Sequence, residues 1–403
     1  MSSLDGTAGV RGHRHVDEAL LNDTDRLQAA DPSGMLWALA SAGAQVRESA
    51  ALAAEANFTS LADEGRPRAL VIAGVGTAAR TGDLLETVAG PRCPVPIVGH
   101  RSAGIPGWVG AADVVIAVSA SGRSPEAIAA ADAAARRGSR LVAIGAPDSE
   151  LASLAERARA PFIPVPRRAP ARATLWALTV PVLMAARALG LVKVNEADFA
   201  ETAARLDLDA ERCRPALESF VNPAKELAID LARSIPIVWG SSPLAAVAAR
   251  RFADTLAANA RYPAVAGALG EAGRGRVGLL DGVYGGLTEA ERDIFADPSD
   301  ADENAPTRLR LVLLRDGGLA DEEEEVEGEP VAVEERRADA VQALAERRGV
   351  RVSVVTAEGA SPLERLASLV AVPDFASIYL GLAHGLDPMA VPAVSEMKEL
   401  SRP

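Results

Sequence analysis

Between residues 69 and 165 the chain repeats one unit: a short apolar run, a turn of small residues, then a helical stretch. The runs are Ala69–Ala73 (ALVIA), Val95–Gly99, Asp113–Ser119, Arg140–Gly145 and Phe162–Val165. Helical patterns lie near Ala78–Val88, Ser124–Arg136, Ser149–Ala158 and Ala171–Leu191. A strand that is apolar on both faces must be covered on both faces. The alternation therefore predicts a parallel sheet between two helical layers, a doubly wound domain of about five strands. Before it, an Ala-rich helical pattern runs from Pro32 to about Leu61.

A second series follows a polar stretch, Lys193 to Arg214. It opens with Ile235–Trp239 and a helix over Pro243–Ala257, and continues after a mixed segment, 259–286, with strands at Leu309–Leu314 and Val350–Val355. Helical patterns close it at Val333–Arg347, Leu363–Val370, Phe375–Gly385 and Met389–Leu400. "LVIAGVGTAARTGDLL" (70–85) and "IVWGSSPLAAVAARRF" (237–252) share the order strand, glycine, small polar residues, helix. Gly74 and Gly240 hold the same place in each, so the halves read as a duplication. The expected fold is α/β: two doubly wound parallel-sheet domains in tandem with C-terminal helices. The expected division is a flexible arm over 1–30, a first domain over 31–195, and a second over 196–403.

Composition narrows the chemistry. The 403 residues carry a formal charge of −13, which argues against nucleic acid or an anionic membrane as a general partner. Asp321–Glu329 (DEEEEVEGE) holds seven acids in nine positions and reads as a solvated loop. Two cysteines, Cys93 and Cys213, give neither a disulfide framework nor a thiolate zinc site. The four histidines (13, 15, 100 and 384) form no metal-ligand pattern. The N-terminus lacks a signal-peptide apolar region, and Thr174–Val192, interrupted by Pro181 and Arg187, is too broken to span a bilayer. The expectation is a cytoplasmic protein without metal or cofactor.

The clearest chemical signal is Ser119-Ala-Ser121-Gly-Arg123-Ser124-Pro125-Glu126. It follows the strand DVVIAV and opens a helix, with Pro125 at the first helical position and Ser124 at the cap. Hydroxyls and the free N–H groups of a helix start suit a phosphate. An ordinary capped helix start would look the same. Gly74-Val-Gly76-Thr77-Ala78-Ala79 fits G-x-G-x-x-[G/A], but the second strand ends in His100-Arg101 where a dinucleotide site wants an acid. An arginine there could suit a 2′-phosphate, so an NADP-binding oxidoreductase stands as a distant alternative. Arg172 begins a helix just after the fifth strand, at the carboxyl-end crevice where such folds bind ligands.

Taken together, these segments resemble the SIS (sugar isomerase) domain proteins, and more narrowly the bifunctional phosphoglucose/phosphomannose isomerase family, over about 35–403. The family's GMGGSAxGGDLL compares with GVGTAARTGDLL (74–85), its SYSGNTEET with SASGRSPEA (119–127), and its PRAALG with ARATLW (171–176). Its closing DP…LK…L compares with Asp387-Pro388 … Met397-Lys398 … Leu400. The resemblance implies a homodimer that binds hexose 6-phosphates and performs aldose–ketose isomerisation without metal. Phosphate would meet Thr77, Ser119, Ser121 and Ser124, with Gly76 lining the sugar. Arg172 and Lys398 would stabilise the enediolate oxygen.

The acid–base pair departs from the pattern. The family's NENAK aligns with Ala257–Arg261, placing Ala258 where the catalytic Glu belongs. Its PExNHNE aligns with Gly270–Arg276, placing Arg274 where the His belongs and keeping Glu271. Alanine cannot move a proton, and arginine stays protonated near neutral pH. Losing one positioned base typically costs ~10²–10⁴ in rate. Glu271, Asp254 or His384 would have to supply a relocated base, with Arg274 kept for substrate binding. The other expectation is a non-catalytic sugar-phosphate sensor or partner subunit.

Overall fold

Every residue of the strand Leu70–Ala73 is buried, as is every residue of Val114–Ser119. That is the signature of strands covered on both faces. The computed structural model describes residues 16–56, 58, 61, 63–287, 307–317 and 330–400. In chain order the first half comprises α1 (Ala42–Glu55), β1 (Leu70–Ala73), α2 (Thr77–Ala89), β2 (Ile97–His100), β3 (Val114–Ser119), α3 (Pro125–Arg136), β4 (Arg140–Gly145), α4 (Glu150–Ala158), β5 (Phe162–Pro164) and α5 (Leu175–Ala188). The second half comprises α6 (Glu196–Arg212), α7 (Pro223–Leu231), β6 (Ser234–Gly240), α8 (Pro243–Thr255), β7 (Val265–Ala268), β8 (Arg308–Arg315), α9 (Pro330–Arg347), β9 (Arg351–Thr356), α10 (Pro362–Ala383) and α11 (Pro392–Leu400).

The strands form two parallel sheets, ordered β2-β1-β3-β4-β5 and β7-β6-β8-β9. Both begin second, first, third, fourth, which is what a duplicated unit produces. Alternate residues point to opposite faces. Leu70, Ile72, Val114 and Ile116 join one core, while Val71, Ala73, Val115 and Ala117 join another. In the second sheet Val238, Val312 and Leu314 enter the same core as Leu70, and Ile237, Trp239, Leu311 and Leu313 form a third. One shared core thus lies between the sheets. Within the layer of helices there, α2 packs on α8, and α10 packs on α6, α7 and α8.

Several elements depart from the sequence reading. The stretch from Pro32 to Leu61 breaks into the short helix Met35–Ala40 and α1. The polar stretch 193–214 contains α6, whose start is a capping box: Asn195 accepts from Asp198 N, and Asp198 accepts from Asn195 N. Four residues of the mixed segment form the edge strand β7. The two patterns at 363–370 and 375–385 are one helix, α10, with Pro373 inside it. Its residues are apolar all round, so no amphipathic period marks its limits. This helix is long and apolar enough to cross a membrane, but its most apolar window is wholly buried inside the protein.

The described part of the stretch expected as an arm is helical over Glu18–Leu21 and Thr24–Ala30, with Leu21 and Leu27 fully buried. Lys225, also fully buried, helps to hold it: its ammonium donates to the carbonyls of Leu21, Pro215 (2.7 Å) and Leu217 (2.7 Å). His13, His15 and the acidic segment 321–329 lie outside the described residues.

Candidate functional site at the switch point of the first sheet

The order of the first sheet reverses between β1 and β3, and the loops leaving these two neighbouring strands flank the resulting crevice. They are the two loops singled out in the sequence. After β1, Gly74 is required by close approach: a Cβ there would lie 2.9 Å from the Ala78 Cβ and 2.9 Å from the Val118 carbonyl. Gly76 caps α2 with φ 61°, ψ −130° and offers no side-chain acceptor. The N–H groups of Thr77 and Ala78 are therefore without a side-chain cap, with half-buried Thr77 leading the helix, while Ala79 N donates to the Gly76 carbonyl at 3.1 Å.

After β3, the serine loop folds on its own hydroxyls. Ser119, 3% exposed, accepts from Ser124 N at 3.4 Å. Ser121 Oγ accepts from Arg123 N at 3.2 Å and lies 3.5 Å from Ser119 Oγ. Ser124 occupies the cap position, but its hydroxyl donates to Glu126 at 2.7 Å instead of capping the helix. The start of α3 is thus as open as that of α2. Gly122 has φ 64°, and a Cβ on it would fall 2.0 Å from Ser149 Oγ. Arg167 donates to the Ser121 carbonyl at 3.1 Å, which brings a cation over the loop beside exposed Arg123. Two helix N-termini without side-chain caps, hydroxyls and two arginines are the chemistry that an anion site uses. By contrast, Arg101, the cation that a dinucleotide 2′-phosphate would need, is taken up by both oxygens of Asp83 at 2.9 Å.

Arg172 lies in the helical turn Ala171–Ala173 and reaches into the second half of the chain. Its Nη1 donates to Ala258 O (2.9 Å), Asn259 Oδ1 (3.3 Å) and Pro388 O (2.6 Å). Its own carbonyl accepts from Arg251 Nη2 at 2.8 Å. Arg251 is buried against Asp374, with Nη2 2.9 Å from Oδ2. Asn259 donates to Ser377 Oγ (2.9 Å), which donates to the Asp374 carbonyl (2.6 Å). Arg261, in the left-handed region at φ 52°, donates to the carbonyls of Asp387 (2.8 Å) and Ala390. Burial, then the charges of Arg261 and Arg251, pull the Arg172 pKa down, and Asp387 opposes them. Burial pushes the Asp374 carboxyl up against the pull of Arg251.

Not every expected residue joins this junction. Glu271 and Arg274 are exposed and lie past the far end of β7, the opposite end from Arg261. Their surroundings are on the second sheet's side: a Cβ on neighbouring Gly270 would meet Arg337 of α9 at 3.6 Å. Lys398 belongs to α11, and its side chain lies outside the described residues. Asp254 is bound to Arg80 at 2.6 Å, and Arg80 also holds Asp83 at 2.6 Å, a clasp between α2 and α8. His384 stacks on Tyr262 with ring centroids 5.7 Å apart, and burial, then Arg233, lower its pKa. Among the described residues no group of three His, Cys, Asp or Glu is placed to hold a metal.

Sequence reasoning missed Arg167, Arg251, Asn259, Arg261 and Asp374 as site elements. One signal was present: Asp374 is a lone acid in a long apolar run and must find a cation once buried.

Comparison with known proteins agrees with this fold. Residues 220–400 match the family described as the bacterial phospho-glucose isomerase C-terminal SIS domain. A bifunctional phosphoglucose/phosphomannose isomerase of Caldicellulosiruptor bescii is 26% identical over 329 residues, 82% of this chain and 88% of that protein. A hypothetical protein of Thermus thermophilus shares the fold with a TM-score of 0.68 at 16% identity, covering 95% of this chain and 94% of its own. The C-terminal domain of glucosamine-fructose-6-phosphate aminotransferase from Francisella tularensis does so at 0.55 and 14%, covering 88% and 96%. Residues 220–400 are thus similar to a SIS domain, and the chain over most of its length resembles a bifunctional phosphoglucose/phosphomannose isomerase.

Proposed function

We propose, from the premise of a SIS-domain protein with an isomerase-like scaffold, that this chain binds a hexose 6-phosphate. The phosphate would rest on Ser119, Ser121, Ser124 and Thr77, and the sugar would extend past Gly76 toward Arg172. The observation that carries this reading is the pair of helix starts, without side-chain caps, that follow the two neighbouring strands at the switch point, one carrying the serine loop. Anions gain there from the helix dipoles and the unpaired N–H groups together.

A specific observation favours binding without turnover. Arg172 meets Ala258 through a backbone carbonyl, Asp374 is committed to Arg251 and Asp254 to Arg80, and the Asp387 carboxylate, whose charge acts on Arg172, accepts from Met389 N. Glu271 is exposed beyond β7. A sugar-phosphate sensor or partner subunit is therefore the second reading, beside an aldose–ketose isomerase with a relocated base. Two free cysteines suit a cytoplasmic setting. Exposed Val394, Met397 and Leu400 on α11 offer apolar surface to a second copy in a homodimer.

Proton NMR of fructose 6-phosphate in D₂O tests both parts at once. Line-broadening by the protein reports binding, and its absence would refute the proposal. Deuterium entering the sugar with wild type, but not with Arg172→Ala, would establish an isomerase. Broadening without exchange over many hours would establish the sensor.

A further inference from the structure

The second sheet has a switch point of its own, between β6 and β8, in the place that β1 and β3 hold in the first sheet. The strand registers bring the two into correspondence. Ala73 pairs with Ala117 where Trp239 pairs with Leu313, and Gly74 and Gly240 follow. By this register Gly76 corresponds to Ser242, Thr77 to Pro243 and Ala120 to Asp316. The helix starts agree: Gly76 is the cap of α2 and Ser242 the cap of α8.

Each of the three differences works against a free anion. Where Gly76 has no side chain, Ser242 accepts from Ala245 N at 3.1 Å. Where Thr77 brings an N–H to the first helical position, Pro243 brings none. Where Ala120 ends in a methyl group, Asp316 bridges the two loops with a carboxylate only 13% exposed. Its Oδ2 accepts from Ser242 Oγ at 2.7 Å, and its Oδ1 from Nε of Arg365, near the start of α10, at 2.8 Å. Its backbone N–H donates to Ser241 Oγ at 3.0 Å. A hydroxyl and a guanidinium beside a helix start thus surround an anion here, but the chain itself supplies the anion. Burial, then the charge of Asp316, raise the pKa of Glu334 on α9, so a second carboxyl group stands near and a further anion is disfavoured.

We propose that Asp316 is the resident anion of the second switch point: its carboxylate fills the place that a ligand's anion would take, ties the loops after β6 and β8 to α10, and leaves the chain one ligand site, that of the first sheet. The count of one rests on the phosphate-site reading above; the resident carboxylate does not.

Chemical rescue of the full chain by formate tests the assignment. Asp316→Ala deletes the carboxylate from between Arg365 and Ser242, so the variant should melt below wild type. Formate, a free carboxylate, should raise the melting temperature of Asp316→Ala by about 2 °C or more over chloride at equal ionic strength, with no such difference in wild type. Adding Arg365→Gln should abolish the gain. Asp316→Ser, which keeps a polar group for Ser242 to meet, is the gentler variant and carries the same expectation. Equal effects of formate and chloride on both variants, a gain shared by wild type, or a gain that persists without Arg365 would overturn the resident anion. So would two molecules of fructose 6-phosphate bound per wild-type chain in calorimetry. A wild-type chain that binds none would overturn the phosphate site and the count of one, while formate rescue would still uphold the resident carboxylate.

Discussion

Nη1 of Arg172, in the first half of the chain, donates to the carbonyl oxygen of Ala258, in the second, across 2.9 Å. A cation from the first half thus meets the backbone of the residue that stands where resemblance to the isomerases expects a carboxylate. Ala258→Glu would put a negative charge against Arg172. The predicted effect is a loss of about tenfold in affinity for fructose 6-phosphate, because the new carboxylate takes the guanidinium that would meet the sugar. Titration calorimetry measures it.

Arg251 and Asp374 hold the backbone of Arg172 in place, and both are buried. Asp374→Ala strands a buried guanidinium. It should cost about 3–5 kcal/mol in urea unfolding, the range for breaking a buried pair from one side. Replacing both partners, Arg251→Met with Asp374→Leu, should recover much of that stability but not ligand binding, since Arg172 loses its anchor.

Gly122 takes φ 64° with no room for a Cβ beside Ser149. Gly122→Ala should cost at least about 1 kcal/mol from the backbone alone. More tellingly, it should abolish ligand-dependent thermal stabilisation while far-UV circular dichroism stays native, because the serine loop must open to admit the methyl group.

The sequence carried the strands of the first sheet well, because buried parallel strands such as ALVIA and DVVIAV are apolar runs that end in glycine or serine. The two loops at the switch point were legible for the same reason: they sit where strand pattern changes to helix pattern. The junction was not. Arg172 was visible as a cation after a strand, but its partners, Ala258, Asn259 and Pro388, are more than 80 residues away and meet it mostly through backbone oxygens, which no side-chain pattern reports. Likewise α10 looked like two helices because Pro373 reads as a breaker, whereas a fully buried helix keeps its packing on every side and tolerates the lost hydrogen bond.

Asp209, on α6, has a side chain only 1% exposed, and burial raises its pKa from 3.8 to about 6 despite Arg212 and Arg205. Between these values the folded protein holds a proton that the unfolded chain releases. Stability should therefore fall as pH rises from about 4 to about 6, by on the order of 3 kcal/mol, and be flat in this respect above that. Asp209→Asn should remove the fall and leave the protein more stable than wild type at pH 7, as urea unfolding across that range would record.

Isothermal titration of fructose 6-phosphate into wild type and into Ser119→Ala/Ser121→Ala shows whether the proposed sugar-phosphate site is the serine loop at the switch point, with matched melting curves showing that both proteins are folded. The expected result is a saturable isotherm for wild type that weakens at least about tenfold in the double variant, as loss of two hydroxyl contacts to an anion requires. An isotherm unchanged by the two substitutions would contradict it.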